Sequence, residues 1–301
     1  MKILVFGAGA LGSFVGGLLS QKNSVTLIGR EKHVSNINSK GLIIEGKTKL
    51  IAKPRAYQII PNEKFELVLL TVKSYDTSNA LEDILPIIDD DTILLSLQNG
   101  LGNLEKISSV CKKAIGGTTS HGITFLEPGR ILHAGLGETT LGNFKSVERK
   151  ELISIVQTFS LCGIETKTTD NILGELWAKA IINASINPIT AITRLKNGYL
   201  LKENHLKEIM VNACKEGIEV ARSANIKLPC YDIIEKTKTI ARMTANNKSS
   251  MLQDIEKHKK TEIDSITGEL IATARNNNVP IHTNTLLYNI IKGLEGAIGQ
   301  K

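Results

Sequence analysis

Aromatic residues are scarce, at 4% of the 301 positions. A surface built for nucleic acid interleaves dense basic charge with aromatic platforms. Here the net charge of +7 is spread along the chain, with only short clusters such as KHKK at 257–260. A solvated basic face is expected, with no nucleic-acid partner, although it would help attract anionic ligands. Cysteine is also sparse. Cys111, Cys162, Cys214 and Cys230 stand apart with no CxxC pair. That spacing argues against a zinc site, so no metal is expected, and it fits a reducing cytoplasm. No apolar run approaches ~20 residues, so no membrane span is expected. The opening MKILVFGAGALG carries one lysine and a short apolar run, without the pattern of a secretory signal. Repeats and low-complexity tracts are lacking too. What remains is a soluble globular composition, 42% hydrophobic and 22% charged, long enough for two ordinary domains.

The first half alternates short β-rich runs with helical patterns. KILVF (2–6) and SVTLI (24–28) read as strands, with a helix from about 11 to 21 between them. ELVLLTV (66–72) and TILLSLQ (92–98) are continuous apolar runs, as expected of strands buried on both faces of a parallel sheet. LIIEG and KLIAK look like a short β excursion, and SNALEDILPII can form a crossover helix. This is the pattern of a Rossmann-type, doubly wound α/β domain. GITFL, RILHA and TTLGN predict strands added at the sheet edge. Beyond about residue 168 the signal turns helical, with candidate helices at 171–186, 203–224, 230–245, 250–257, 261–277 and 283–297. Asn187-Pro188 is expected to end the first of these, because proline cannot continue a helix. The expected division is 1–167 and 168–301, a sheet domain followed by an all-helical one.

GAGALG (7–12) fits GxGxxG through Gly7, Gly9 and Gly12, directly after a strand and opening a helix. In that context Gly7 permits the turn, Gly9 admits a pyrophosphate, and Gly12 lets helix and strand pack. The helix N-terminus favours the phosphate charge. At the end of the second strand Gly29 and Arg30 stand where an NAD site usually carries an acid. A guanidinium can grip a 2′-phosphate, so NADP is favoured, with Glu31 keeping NAD possible. Lys73 and Asn99 close two further strands, where open parallel sheets place their ligands.

The segment LWAKAIINASINPITAI (176–192) carries Lys179, Asn183 and Asn187 four residues apart. At about 3.6 residues per turn these three share one helix face over ~12 Å. The rest of the helix is apolar enough to be buried, so the polar stripe needs partners from the protein or from a ligand. In NNKSSMLQDIEKHKKTEID, Ser250 with Gln253 fits a capping box, a helix end that could also bind a carboxylate. Glu262 and the histidines His121 and His133 have ordinary structural readings of their own.

Taken in order, these motifs resemble one family. GAGALG, KSYDT, LQNGLGN, HG…PGRILHAGLGE, WAKAIINASINPITAI…NG and SSMLQDIEKHKKTEIDSITGEL are similar to the ketopantoate reductases, over essentially the whole chain. The resemblance implies a second domain like the C-terminal domain of 6-phosphogluconate dehydrogenases. It implies reduction of 2-dehydropantoate to (R)-pantoate, towards pantothenate and coenzyme A, with NADPH preferred and NADH possible. It makes Lys179 the catalytic lysine, with Glu262 as a catalytic and substrate-positioning acid. The implied cofactor residues are Gly7, Ala8, Gly9, Ala10, Leu11, Gly12, Arg30, Lys73, Asn99 and Glu262. Those implied for substrate are Lys179, Asn99, Asn183, Asn187, Asn197 and Ser250. The stretch Thr193–Lys196 before Asn197 is more basic than the family pattern. A cytoplasmic homodimer is expected. Two rival readings remain: a reductase of another branched 2-keto acid, and an NADP(H) sensor without chemistry.

Overall fold

The computed structural model describes residues 1–298. The chain divides into two compact units: Met1–Gln98 with Asn103–Ile172, and Asn99–Gly102 with the chain from Leu173 onward.

The first unit opens with β1 (Lys2–Phe6), α1 (Ala10–Leu19), β2 (Ser24–Ile28) and α2 (Glu31–Lys40). Then come the short strands β3 (Leu42–Gly46), β4 (Leu50–Ala52) and β5 (Arg55–Tyr57), followed by β6 (Leu67–Leu70), α3 (Thr77–Ile84), β7 (Ile93–Ser96), α4 (Asn103–Val110) and β8 (Lys113–Thr119). It closes with β9 (Gly122–Glu127), β10 (Arg130–Gly135), β11 (Thr139–Lys145), α5 (Arg149–Leu161) and β12 (Thr166–Thr168). Eight strands form the main sheet in the order β12-β11-β8-β7-β6-β1-β2-β5, parallel from β8 through to β5. All four residues of β6 and of β7 are buried, which explains their unbroken apolar runs.

From β1 the chain winds outward to β2 and later returns to the other side for β6. The order therefore reverses between β1 and β6, and the crevice beyond their carboxyl ends is the expected ligand position. Thr71 ties that place together by donating its hydroxyl to the carbonyl of Gly7 at 2.9 Å.

The expectation for the added strands is corrected in part. β11 does join the main sheet, but β9 and β10 do not. They form a separate sheet with β3 and β4, ordered β4-β3-β10-β9, in which β10 pairs with β3. A strand pattern shows which faces are apolar but not which partner they find. Here α1 packs against both sheets through adjacent glycines: a side chain at Gly16 would strike Leu27, and one at Gly17 would crowd Ile44 and Leu42.

The second unit contains α6 (Ile172–Thr193), α7 (Asn204–Ser223), α8 (Ile233–Met243), α9 (Ser250–Glu256), α10 (Glu269–Asn276) and α11 (His282–Ile298). Its core gathers Trp177, Ile181, Ile186, Met210, Val220 and Leu270, all buried. No described helix is long and apolar enough to cross a membrane.

Two helix boundaries differ from expectation. Pro188 lies inside α6, which runs on to Thr193 instead of ending at Asn187. An internal proline costs ~3 kcal/mol. Beyond it lie Ile189 and Ala191, both buried, and Ile192, partly so. Burial of isoleucine contributes ~1.5–3 kcal/mol per side chain, enough to offset the break. The expected helix over 261–277 begins later, with a π-helical turn, Asp264–Gly268, leading into α10.

Candidate active site

In the first unit the glycines of GAGALG divide into two kinds. Gly7 has φ +109° and no room, since a side chain there would sit 2.6 Å from the backbone nitrogen of Val72. Gly12 is equally enclosed, 2.2 Å from the carbonyl oxygen of Gly7. The protein's own packing explains both. Gly9 is exposed and a side chain there would meet nothing within 4 Å, so packing gives no reason for a glycine. An open, side-chain-free position at the mouth of a helix is what an approaching pyrophosphate requires. Gly9 is the N-cap of α1, and the first turn carries no acidic residue to repel an anion. The N–H groups of Ala10, Leu11 and Gly12 fall in that turn, where helices lack internal acceptors. Ala8, by contrast, is buried. A dinucleotide cofactor fits this cradle.

Arg30 follows β2 as the N-cap of α2; it is exposed, and its guanidinium makes no hydrogen bond or ion pair to a described residue. Lys73 is half-buried at the start of the 3-10 turn Ser74–Asp76 after β6. His33, His121 and His133 are occupied structurally. His33 accepts from the N–H of Gly129 at 2.8 Å and meets Ser13 at 2.9 Å. His121 and His133 contact each other at 3.2 Å beneath Phe14. Burial lowers the His121 pKa to about 4, so this imidazole is neutral at pH 7.

In the second unit α6 carries Lys179, Asn183 and Asn187 on one face. Lys179 and Asn183 are half-buried, and Asn187 is 6% exposed. Neither the ammonium nor either side-chain amide forms a hydrogen bond or ion pair with a described residue. None of these polar atoms is among the enclosed, unpartnered ones, so they keep some access and are open to a polar ligand. Part of Lys179 reaches solvent, yet it is packed deeply enough that lost hydration lowers its pKa to about 8. The Glu262 carboxylate pulls the other way.

Glu262 is 6% exposed, and Asn99 donates to its Oε2 from Nδ2 at 3.3 Å. The turn that carries Asn99 is held in place. Leu101 donates its N–H to the carbonyl of Ser265 at 2.8 Å, and Gly100, with φ +85°, has no space for a side chain against Ser265. The Asn99 amide thus reaches the Glu262 carboxylate, which also acts electrostatically on the Lys179 ammonium.

Two remaining positions are corrected or qualified. The N-cap of α9 is Ser249, not Ser250: its hydroxyl accepts from the N–H of Leu252 at 3.1 Å and is met by Thr190 at 2.7 Å. Adjacent serines offer either register, and burial selects the first, leaving Ser250 exposed in the first turn. Asn197 opens a 3-10 turn and is buried; its Nδ2 already donates to Thr244 at 2.9 Å, while its Oδ1 is enclosed without a partner.

The family model described as ketopantoate reductase PanE/ApbA matches residues 3–146, and that of the ketopantoate reductase PanE/ApbA C terminal matches residues 171–295. The chain belongs to the ketopantoate reductase family. It is 42% identical over 300 residues to the 2-dehydropantoate 2-reductase of Pyrococcus horikoshii, covering 99% of each chain. The enzyme of the same name from Archaeoglobus fulgidus is 32% identical over 298 residues, again with 99% of each covered. Among solved structures, a PanE/ApbA family ketopantoate reductase from Ralstonia eutropha superposes with a TM-score of 0.92 at 29% identity, covering 99% of this chain and 100% of that one. A D-mandelate dehydrogenase bound to NADH and anilino(oxo)acetate also gives 0.92, at 27% identity and the same coverage. In this ketopantoate reductase chain the polar face of α6 and the glycine cradle follow local patterns, whereas Tyr288, Lys292 and Glu295, on α11 beside the Glu262 segment, follow none that would set them apart from a solvated helix face.

Proposed function

We propose that the protein reduces 2-dehydropantoate to (R)-pantoate with NADPH. The observation that carries this reading is the Lys179–Asn183–Asn187 face, whose polar ends make no hydrogen bond or salt bridge with a described residue, while Glu262 acts on the ammonium electrostatically. The first turn of α1, Arg30, Lys73 and Asn99 hold the cofactor, which supplies the hydride. As negative charge builds on the keto oxygen, the Lys179 ammonium stabilises it and delivers a proton to that oxygen. Asn183 and Asn187 orient the keto acid by donating and accepting hydrogen bonds. Ser250 and Asn197 hold its polar ends, and Glu262 accepts from its hydroxyl. A proton donor placed this way is surplus to a protein that only senses the cofactor. The reading includes a cytoplasmic homodimer. All four cysteines are free, which fits a reducing compartment; the dimer rests on the family resemblance.

The test is NADPH oxidation by the purified protein with 2-dehydropantoate, run beside NADH and beside 2-oxo-2-phenylacetate, which lacks the hydroxyl. The likeness to an NADH-bound D-mandelate dehydrogenase gives the second comparison its point. Faster turnover of the phenyl keto acid would make this a different 2-keto acid reductase. No turnover of either would favour the sensor. Arg30→Ala should lower kcat/KM for NADPH by ~10-fold or more and leave NADH nearly unchanged, because only NADPH offers a phosphate to the guanidinium.

The pH dependence follows from the Lys179 pKa of about 8. The protonated form is the active acid. Catalysis should therefore be level below that pH and fall as pH rises through it, approaching tenfold per unit. A kcat/KM profile that rises across the same range would assign the lysine the opposite role.

A further inference from the structure

Glu262 lies in no α-helix. It occupies a short stretch between the end of α9 at Glu256 and the π-helical turn that starts at Asp264. A buried carboxylate on such a stretch needs its backbone fixed from outside. Both ends of the segment are gripped by one face of α11. Glu295, itself 11% exposed, accepts from the N–H of Thr261 at 2.7 Å. On the far side of Glu262, Asp264 accepts from the hydroxyl of Tyr288 at 2.8 Å and from the ammonium of Lys292 at 3.0 Å. Lys292 also reaches Glu295 at 3.1 Å and so joins the two grips. Residues 288, 292 and 295 follow at steps of four and three, the spacing of neighbours on one helix face. Between the grips Ile263 is fully buried, in the same cluster as Ile291 of α11.

From this geometry we infer that Tyr288, Lys292 and Glu295 form a clamp whose task is to hold the Glu262 carboxylate at the site. The inference rests on the proposed role of Glu262 towards the keto acid. None of the three need touch substrate or cofactor, so they are positioning residues. Three charge-assisted hydrogen bonds, each stronger than a neutral one, constrain the backbone immediately before and two residues after the carboxylate. The network's charges agree with this: the Asp264 pKa is lowered by Tyr288 and Lys292 against the effect of burial, and that of Lys292 is raised by Asp264 and Glu295, again against burial. The π turn contributes from the other side, since the carbonyl of Ser265 takes the Leu101 N–H of the Asn99 turn. Glu262 is thus set between a fixed backbone and a fixed amide.

The experiment uses the full chain with Glu295→Ala, Glu295→Gln, and the double substitution Tyr288→Phe with Lys292→Met. Three quantities are read: kcat and KM for the keto acid, NADPH affinity by fluorescence, and the Lys179 titration midpoint by NMR of labelled lysine. Loss of outer-shell support typically costs ~10–100-fold, so Glu295→Ala and the double variant should raise KM by about that factor, with kcat and NADPH affinity nearly unchanged. In both, the Lys179 midpoint should fall below about 8, since a displaced Glu262 no longer pulls it up. Glu295→Gln keeps an oxygen for the Thr261 N–H and should recover most of the wild-type KM. If the Lys179 midpoint and KM stay at wild-type values in both Glu295→Ala and the double variant, the clamp is refuted. If the midpoint moves but the wild-type protein turns over no keto acid, the clamp stands and the substrate assignment fails.

Discussion

Replacing Lys179 by alanine is expected to lower kcat by ~10²–10⁴, the usual worth of a positioned general acid, with a much smaller change in NADPH affinity. The same substitution should not lower the melting temperature. The ammonium is desolvated and has no ion pair among the described residues, so while charged it works against folding. Its folded-state pKa is about 8 and its ordinary value 10.5. The cost is therefore full below pH 8 and fades as pH rises towards the ordinary value. Rate and stability should part company in this variant, which separates a functional lysine from a structural one. Lys179→Arg keeps the charge but holds its proton too tightly to deliver it, and should restore little of the rate. A variant with near-normal kcat would remove Lys179 from the mechanism.

The second large effect contrasts Gly7 with Gly9. At Gly7 an alanine would need an unfavourable positive φ and would press on the backbone of Val72 and Thr71. Strain of ~1–3 kcal/mol and overpacking of a similar size together approach the whole stability of many domains. Gly7→Ala should yield little folded protein, or protein with a sharply lowered melting temperature. Gly9→Ala has open space around it and an extended backbone that any residue adopts. Its melting temperature should match the wild type, while NADPH affinity falls by ~10-fold or more because the methyl occupies the path of the pyrophosphate. Calorimetry and fluorescence titration on the two variants check both halves. Unchanged affinity in Gly9→Ala would mean that the helix mouth is not where the phosphates bind.

Much of this was legible in residues alone because it depends on local patterns. Continuous apolar runs gave β6 and β7, a spacing of four gave the polar face of α6, and glycine punctuation gave the cradle. The failures have physical causes. Pro188 marks a helix end by propensity, but buried isoleucines further along the chain outweigh it. The pairing of β10 with β3 joins segments more than eighty residues apart, and no local pattern carries that information. The α11 clamp escaped notice because tyrosine, lysine and glutamate at helical spacing are indistinguishable from a solvated face until Thr261 and Asp264 are placed beside them.

The four residues Asn99–Gly102 are encoded in the midst of the sheet domain, yet they fold with the helical one. An engineer who exchanges helical halves between relatives by cutting at residue 172 would therefore transplant an incomplete part. Ser265 and Glu262 would arrive from one parent and meet a turn supplied by the other. Carrying the short Asn99–Gly102 tongue along with the helices should decide whether such a hybrid inherits a working carboxylate or only a correctly folded shell.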